Sequence, residues 1–193
     1  MKKLMRLFVP VCVSAVLLAA GESVPSQPRA LAIDPAQTKV EFTLGSLLHT
    51  VHGDFHLKRG TLRFDPQSGS ASGELVVDAA SGESGSPNRD KRMHAAILEI
   101  TKYPEITFRP DRVDGRVAPE GKSQVQLHGI FAIHGVEHEI LLPITVDAAA
   151  GQYDVVGVFE VPYVSWGMKN PSTLMLRVND KVEITIHTVV HTM

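Results

Sequence analysis

The chain has 193 residues, with 19 Lys and Arg against 21 Asp and Glu, nine His and one Cys. An apolar fraction of 44% with 21% charged residues describes a globular chain, long enough for one domain with a sizeable core. The formal net charge of −2 excludes a general nucleic-acid binder, and the single Cys excludes an internal disulfide, a Cys-based zinc site, an iron–sulfur cluster and C-x-x-C-H haem attachment.

At the N-terminus, basic Lys2, Lys3 and Arg6 precede an apolar run from Leu7 to Ala20, then the small residues Ala19, Ala20 and Gly21. This is the three-part pattern of a cleavable signal peptide over residues 1–21. The run is shorter than the ~20 apolar residues of a spanning helix, and it carries Pro10. The expected location is periplasmic or secreted. Processing leaves 16 basic against 21 acidic residues and removes Cys12, so the mature chain has no thiol. Residues 22–32 (ESVPSQPRALA) are polar, Pro-containing and aperiodic, and are expected to form a flexible leader into a domain at 33–193.

Period-two alternation begins at Val40, Phe42 and Leu44. It returns at Phe55 and Leu57, at Leu62 and Phe64, and at Ile106 and Phe108. The two longest runs are Val125 to Ile133 and Val182 to Thr188. Such runs predict antiparallel strands with one buried face. Arg59-Gly60, Asp65-Pro66 and Ala150-Gly151 carry turn chemistry, and His134-Gly135 between two long runs predicts a tight hairpin. Two segments break the alternation. Asn88 to Ile100 has charges at its start and Met93, Ala96, Ile97 and Ile100 at helical spacing, with Pro104 to end it. Ser165 to Met175 is a loop or short helix holding the only Trp. The expected fold is all-β: an extended antiparallel barrel of about eight strands with one or two short helices, a two-sheet sandwich being the alternative.

The ordered landmarks resemble one family. They are LLHTVHGDFHLKRG from Leu47 to Gly60, then RDKRMH from Arg89 to His94 and YPEITF from Tyr103 to Phe108. Leu127-His128-Gly129, Ile133-His134-Gly135-Val136 and SWGMKN from Ser165 to Asn170 follow. Together they cover roughly residues 33 to 191 and resemble the YceI-like family. The resemblance implies a lipocalin-like barrel in a small periplasmic protein. It also implies an elongated apolar cavity holding a polyisoprenoid, an isoprenoid quinone or a similar amphiphile. No shared catalytic residues and no cofactor come with it. The expected partners are that long-chain ligand, transiently a membrane, and a second copy of the chain through an exposed strand or barrel face, but no nucleic acid.

Alternation places Phe42, Phe55, Phe108, Phe131, Ile133 and Phe159 on the inner face. Trp166, Met168 and Met175 suit the wall of a pocket for a flexible apolar chain, with a barrel-end plug as the competing reading. His49 lies in the first family-like motif and is a candidate partner for a polar ligand head, or else a strand-end packing residue. Arg89, Asp90, Lys91 and Arg92 read first as a solvated helix start or an ion-paired surface, and only second as a grip for an anionic head group. His52 and His56 have even spacing, which puts both on one strand face unless Gly53 inserts a bulge. A metal site needs three or four such ligands, so none is expected. No G-x-S-x-G elbow, phosphate-binding Gly-rich loop or thiol nucleophile is present, so an enzyme is not expected. Two other readings stay open: a metal- or haem-binding redox accessory using the histidines, and a packed barrel that serves as an interaction module.

Overall fold

The computed structural model describes residues 29–174 and 176–192. The expected signal peptide at 1–21 and the candidate wall residue Met175 lie outside them. Ten antiparallel strands form one sheet: β1 Arg29–Ile33, β2 Lys39–Gly45, β3 Thr50–Phe55, β4 Leu57–Phe64 and β5 Ala71–Asp78. The others are β6 Glu105–Asp114, β7 Gly121–Ile133, β8 Val136–Ala149, β9 Gln152–Val161 and β10 Val182–Thr192. The strand order is β1-β4-β5-β6-β7-β8-β9-β10-β2-β3, and β1 also pairs with β10.

That extra pairing closes the ring. β1 and β2 lie end to end along β10, and β4 and β3 lie along their other side. Ten strands therefore make eight staves, the expected lipocalin-like barrel. A 3₁₀ turn at Pro35–Gln37 joins β1 to β2, started by the Asp34 side chain accepting the Ala36 N–H at 2.9 Å. His56 breaks the stave between β3 and β4. Closure hides the sheet edges that an open sheet of this size would present.

The domain starts earlier than the aperiodic leader predicts. Residues 29–32 belong to β1, with Leu31 and Ile33 buried on the inner face. Five residues offer only two inward positions, too few to read as alternation. The helical segment also differs. α1 spans Pro87–Arg92, with Pro in its first turn, where the ring's fixed φ favours helix initiation. A π-type turn follows at Met93–Ile97, marked by the Leu98 N–H to Met93 carbonyl bond of 2.8 Å. The helical form ends there, before Ile100, and Glu99 takes a φ of 48°. The His134-Gly135 hairpin is as expected, with positive φ at both residues (53° and 76°), the requirement of a type I′ turn. Gly53 inserts no bulge: β2 and β3 pair in continuous register from Val40↔Phe55 to Gly45↔Thr50.

His128 is an outward residue of β7 that the barrel covers, with its side chain 7% exposed. Nδ1 lies 2.6 Å from Asp111 Oδ1, and Nε2 lies 2.6 Å from Glu139 Oε1. Asp111 stands at the register shift of β6 that opposes His128. Two carboxylate acceptors ask both ring nitrogens to donate, which favours the imidazolium form. Its pKa is raised, first by the bond to Asp111 and then by that to Glu139. A His pKa raised on folding contributes stability in full below the unfolded value of about 6.5 and loses it as pH rises through the folded value. His128→Gln is therefore expected to lower the urea midpoint most at acid pH, with the gap to the parent chain narrowing above about pH 6.5. A gap that is constant with pH would contradict the clamp.

Candidate functional site

The eight staves enclose an elongated cavity of about 970 Å³. That is the upper end of the roughly 300–1,000 Å³ range of small-molecule sites. It runs the length of the barrel, from the turn after β4 (Pro66, Gln67) to the β2–β3 turn (Ser46, His49). Along β10 alone it is lined by alternate residues from Val182 to Val190, about 26 Å at ~3.3 Å per residue. Strand alternation produces this wall. Val40, Phe42 and Leu44 face in from β2, and Ile140, Leu142, Ile144 and Val146 from β8. Gly157 on β9 leaves the wall low where β8, β9 and β10 meet, opposite Ile144 and Ile186.

Buried hydroxyls in the body of the cavity are engaged within the protein. The buried hydroxyls of Thr38 and Thr188 bond each other at 2.7 Å. Tyr163 donates to the Asn179 carbonyl at 2.7 Å, and its pKa is pushed up to about 12 by burial, with Asp180 nearby acting in the same direction. The phenol stays neutral and its proton is held. What remains for a ligand is an apolar bore with polar rims.

Of the sequence-derived wall candidates, Phe42, Phe55, Phe108 and Phe131 line this cavity. So do Ile133, Phe159 and Met168. Phe42 and Phe55 pack with ring centroids 5.4 Å apart, and Phe131 meets Phe159 edge-on at 5.7 Å. His49 lies at the rim beside the β2–β3 turn, largely exposed, with its backbone tied to Ser46. Trp166 does not border the cavity. Its ring stacks on His138 at 3.8 Å and 7° and meets the cavity-lining Phe131 with centroids 5.9 Å apart. His138 pairs with Phe131 across β7 and β8, so both point inward near the β7–β8 hairpin. Burial lowers the His138 pKa, and among the described residues Nε2 has no hydrogen-bond partner; the ring lies flat against the indole.

Four other histidines are engaged elsewhere. His52 Nδ1 lies 3.2 Å from the Thr43 hydroxyl, His94 bonds the Gly82 carbonyl, His134 bonds Glu99 and His187 bonds Asp154. Among the described residues, no three His, Cys, Asp or Glu side chains are grouped so as to hold a metal ion. The sequence reading missed the cavity-bordering Arg29 and Arg116; Arg89 and Arg92 are exposed, in keeping with a solvated helix start, and they also border the cavity. Their charge hides them from an argument based on apolar alternation.

Comparison with solved structures gives the same barrel. Burkholderia cenocepacia BcnA superposes with a TM-score of 0.68 at 19% identity, covering 81% of this chain and 98% of that one. A polyisoprenoid binding domain from Saccharophagus degradans, implicated in plant cell wall breakdown, gives 0.65 at 16% identity, covering 86% and 99%. The Campylobacter jejuni YceI protein gives 0.55 at 18% identity, covering 69% and 80%. No curated protein matches the sequence. At these identities the structures establish the fold, while the family rests on the sequence itself. Residues 31–190, from β1 into the last turns of β10, match the YceI-like domain, and the chain belongs to the YceI-like family.

Proposed function

We propose that the protein binds one long apolar molecule of the isoprenoid type in the barrel, shields it from water, and carries or stores it outside the cytoplasm. The continuous apolar bore of about 970 Å³ is the observation that carries this reading. The signal-like segment at residues 1–21 supports export. The polyisoprenoid binding domain with the same barrel supports the class of ligand.

The energetics favour length. Burying about 20 methylene-sized groups gains roughly 16 kcal/mol at ~0.8 kcal/mol each. Association and ordering return a substantial part of that, on the order of half. The remainder corresponds to about micromolar binding or tighter, while a chain half as long binds poorly. The protein acts as a container, because the Thr38, Thr188 and Tyr163 hydroxyls in the bore are engaged within the protein.

Such a ligand is collected from and delivered to a membrane. Leu47 and Leu48, each 73% exposed, stand in the β2–β3 turn beside the rim residues Ser46 and His49. Leu174, fully exposed, lies in the β9–β10 connection, which the Leu47 N–H meets at the Arg177 carbonyl. We assign this end of the barrel to transient contact with a lipid surface. The test of the function is uptake by the delipidated protein, read by native mass spectrometry and organic extraction. Saturable uptake of a prenyl quinone or prenol at one molecule per chain is expected. Absence of uptake for every long-chain amphiphile tried would refute the proposal.

A further inference from the structure

The charged side chains of the cavity wall are all of one sign. Among the described residues that line it, Arg29, Arg89, Arg92 and Arg116 are charged, and no Asp, Glu or Lys takes part. This holds in a chain with more acidic than basic residues.

α1 shows how the sorting arises. Asn88, Arg89 and Arg92 fall within one arc of a helix of 3.6 residues per turn and face the cavity. Pro87, Asp90 and Lys91 fall on the other arc and line a separate shallow depression. Asp90, the nearest carboxylate in sequence, is engaged there. Its Oδ1 accepts the Ser84 N–H at 2.9 Å and also the Ser84 hydroxyl. Arg89 is fixed by the same residue, with Nε donating to Ser84 Oγ at 2.7 Å and Nη2 to the Ser84 carbonyl at 2.6 Å. Its Nη1 has no hydrogen-bond partner among the described residues, and Arg92 makes neither hydrogen bond nor ion pair among them. A held guanidinium and a free one, one turn apart at the mouth of an apolar bore, form a fork for a planar or tetrahedral anion. The opposite mouth is less prepared: Arg29 is engaged by the Tyr153 hydroxyl at 2.8 Å, which leaves Arg116 alone.

We propose that the ligand is an anionic amphiphile whose carboxylate or phosphate head is held by Arg89 and Arg92 at the α1 mouth while its apolar chain fills the barrel. This rests on the reading that the cavity holds a long apolar chain, and it narrows the ligand to one charge class. A neutral quinone or alcohol would use the bore and leave the fork empty.

The test titrates the delipidated protein, at neutral pH and low salt, with three ligands that share a geranylgeranyl chain: the alcohol, the carboxylate and the monophosphate. The two anions are expected to bind about 10-fold tighter than the alcohol, with the advantage shrinking as salt is added. A stronger preference for the phosphate identifies a prenyl phosphate head, and equal preference identifies a general anion fork; both support the site. Arg92→Gln is expected to remove the advantage and leave the alcohol's affinity unchanged. Arg89 is left in place because it also holds the Ser84 loop. Equal binding of all three heads by the parent chain overturns the proposal, and so does loss of the advantage in Arg116→Gln but not in Arg92→Gln. Failure of all three to bind removes the container reading along with it, whereas binding of the alcohol alone sinks only the anion fork.

Discussion

Gly157→Phe is expected to leave the barrel folded and cut the affinity for a long-chain ligand by about 100-fold. Gly157 sits midway along the bore on β9, between Ile144 of β8 and Ile186 of β10. A Cβ placed there meets Ile144 Cγ2 at 3.2 Å and Leu142 Cδ1 at 3.3 Å. Both are ends of flexible side chains that can give by a few tenths of an ångström, and the backbone needs no positive φ. The ring then projects into the space a ligand would thread. Displacing about four methylenes from the bore costs roughly 3 kcal/mol, which is about 100-fold in Kd. A short amphiphile that fills one half of the bore should lose far less, and this dependence on length distinguishes a blocked channel from a damaged fold. Thermal unfolding of the variant provides the control, with a Tm equal to or above that of the parent, because the ring fills empty space. Unchanged affinity for the long chain in a folded variant would place the ligand outside the barrel.

Gly53→Ala is expected to lower stability by about 2–3 kcal/mol, although it adds a single methyl group. Gly53 lies opposite Phe42 in the β2–β3 pair, and the Phe42 ring crosses directly over it. A Cβ there would lie 2.4 Å from Phe42 Cζ and 2.2 Å from the Glu83 carbonyl oxygen. The carbonyl is the harder obstacle, since it is backbone. Glu83 and Asp54 exchange two backbone hydrogen bonds, of 2.9 and 3.0 Å, and these dock the segment before α1 onto β3. Moving Glu83 away loses that bridge, at about 1 kcal/mol per bond, and displaces Phe42 from its contact with Phe55. For a chain of this size the loss corresponds to a Tm lower by roughly 5–10 °C. Because the same segment carries Ser84, which holds Arg89, the α1 mouth should also loosen. A Tm within about 2 °C of the parent would show that Glu83 shifts freely and that the bridge is not structural.

Alternation along a strand is a local property, so much of the wall was readable from the residues. Each inward Phe on β2, β3, β6, β7 and β9 announced its face through its neighbours two positions away, because successive side chains of a strand must point to opposite sides. The His134-Gly135 turn was readable for the same reason, since a type I′ turn requires residues that tolerate positive φ. β1 was not readable: Leu31 and Ile33 alone cannot set a period, and the strand is defined by β4 and β10 on either side of it. Nor was the place of Trp166, which sits in an aperiodic loop and is positioned by stacking on His138 of β8. The clamp around His128 joins Asp111 at an irregularity of β6 to Glu139 on β8, a juxtaposition that no spacing along the chain encodes.

By itself, then, the sequence determined the class of fold, the family and most of the inward-facing set, because composition, period and turn chemistry act over a few residues at a time. Whether the inward side chains meet in a solid core or stand back from an open bore was decided only by the tertiary structure. That outcome depends on the radius set by eight staves and their stagger, and on the low wall at Gly157, which are properties of the closed sheet as a whole. The same holds for the arginines at the mouths. Their charge is written in the sequence, but the place of Arg89 and Arg92 at the rim of the bore follows from which arc of α1 the closed barrel leaves facing it.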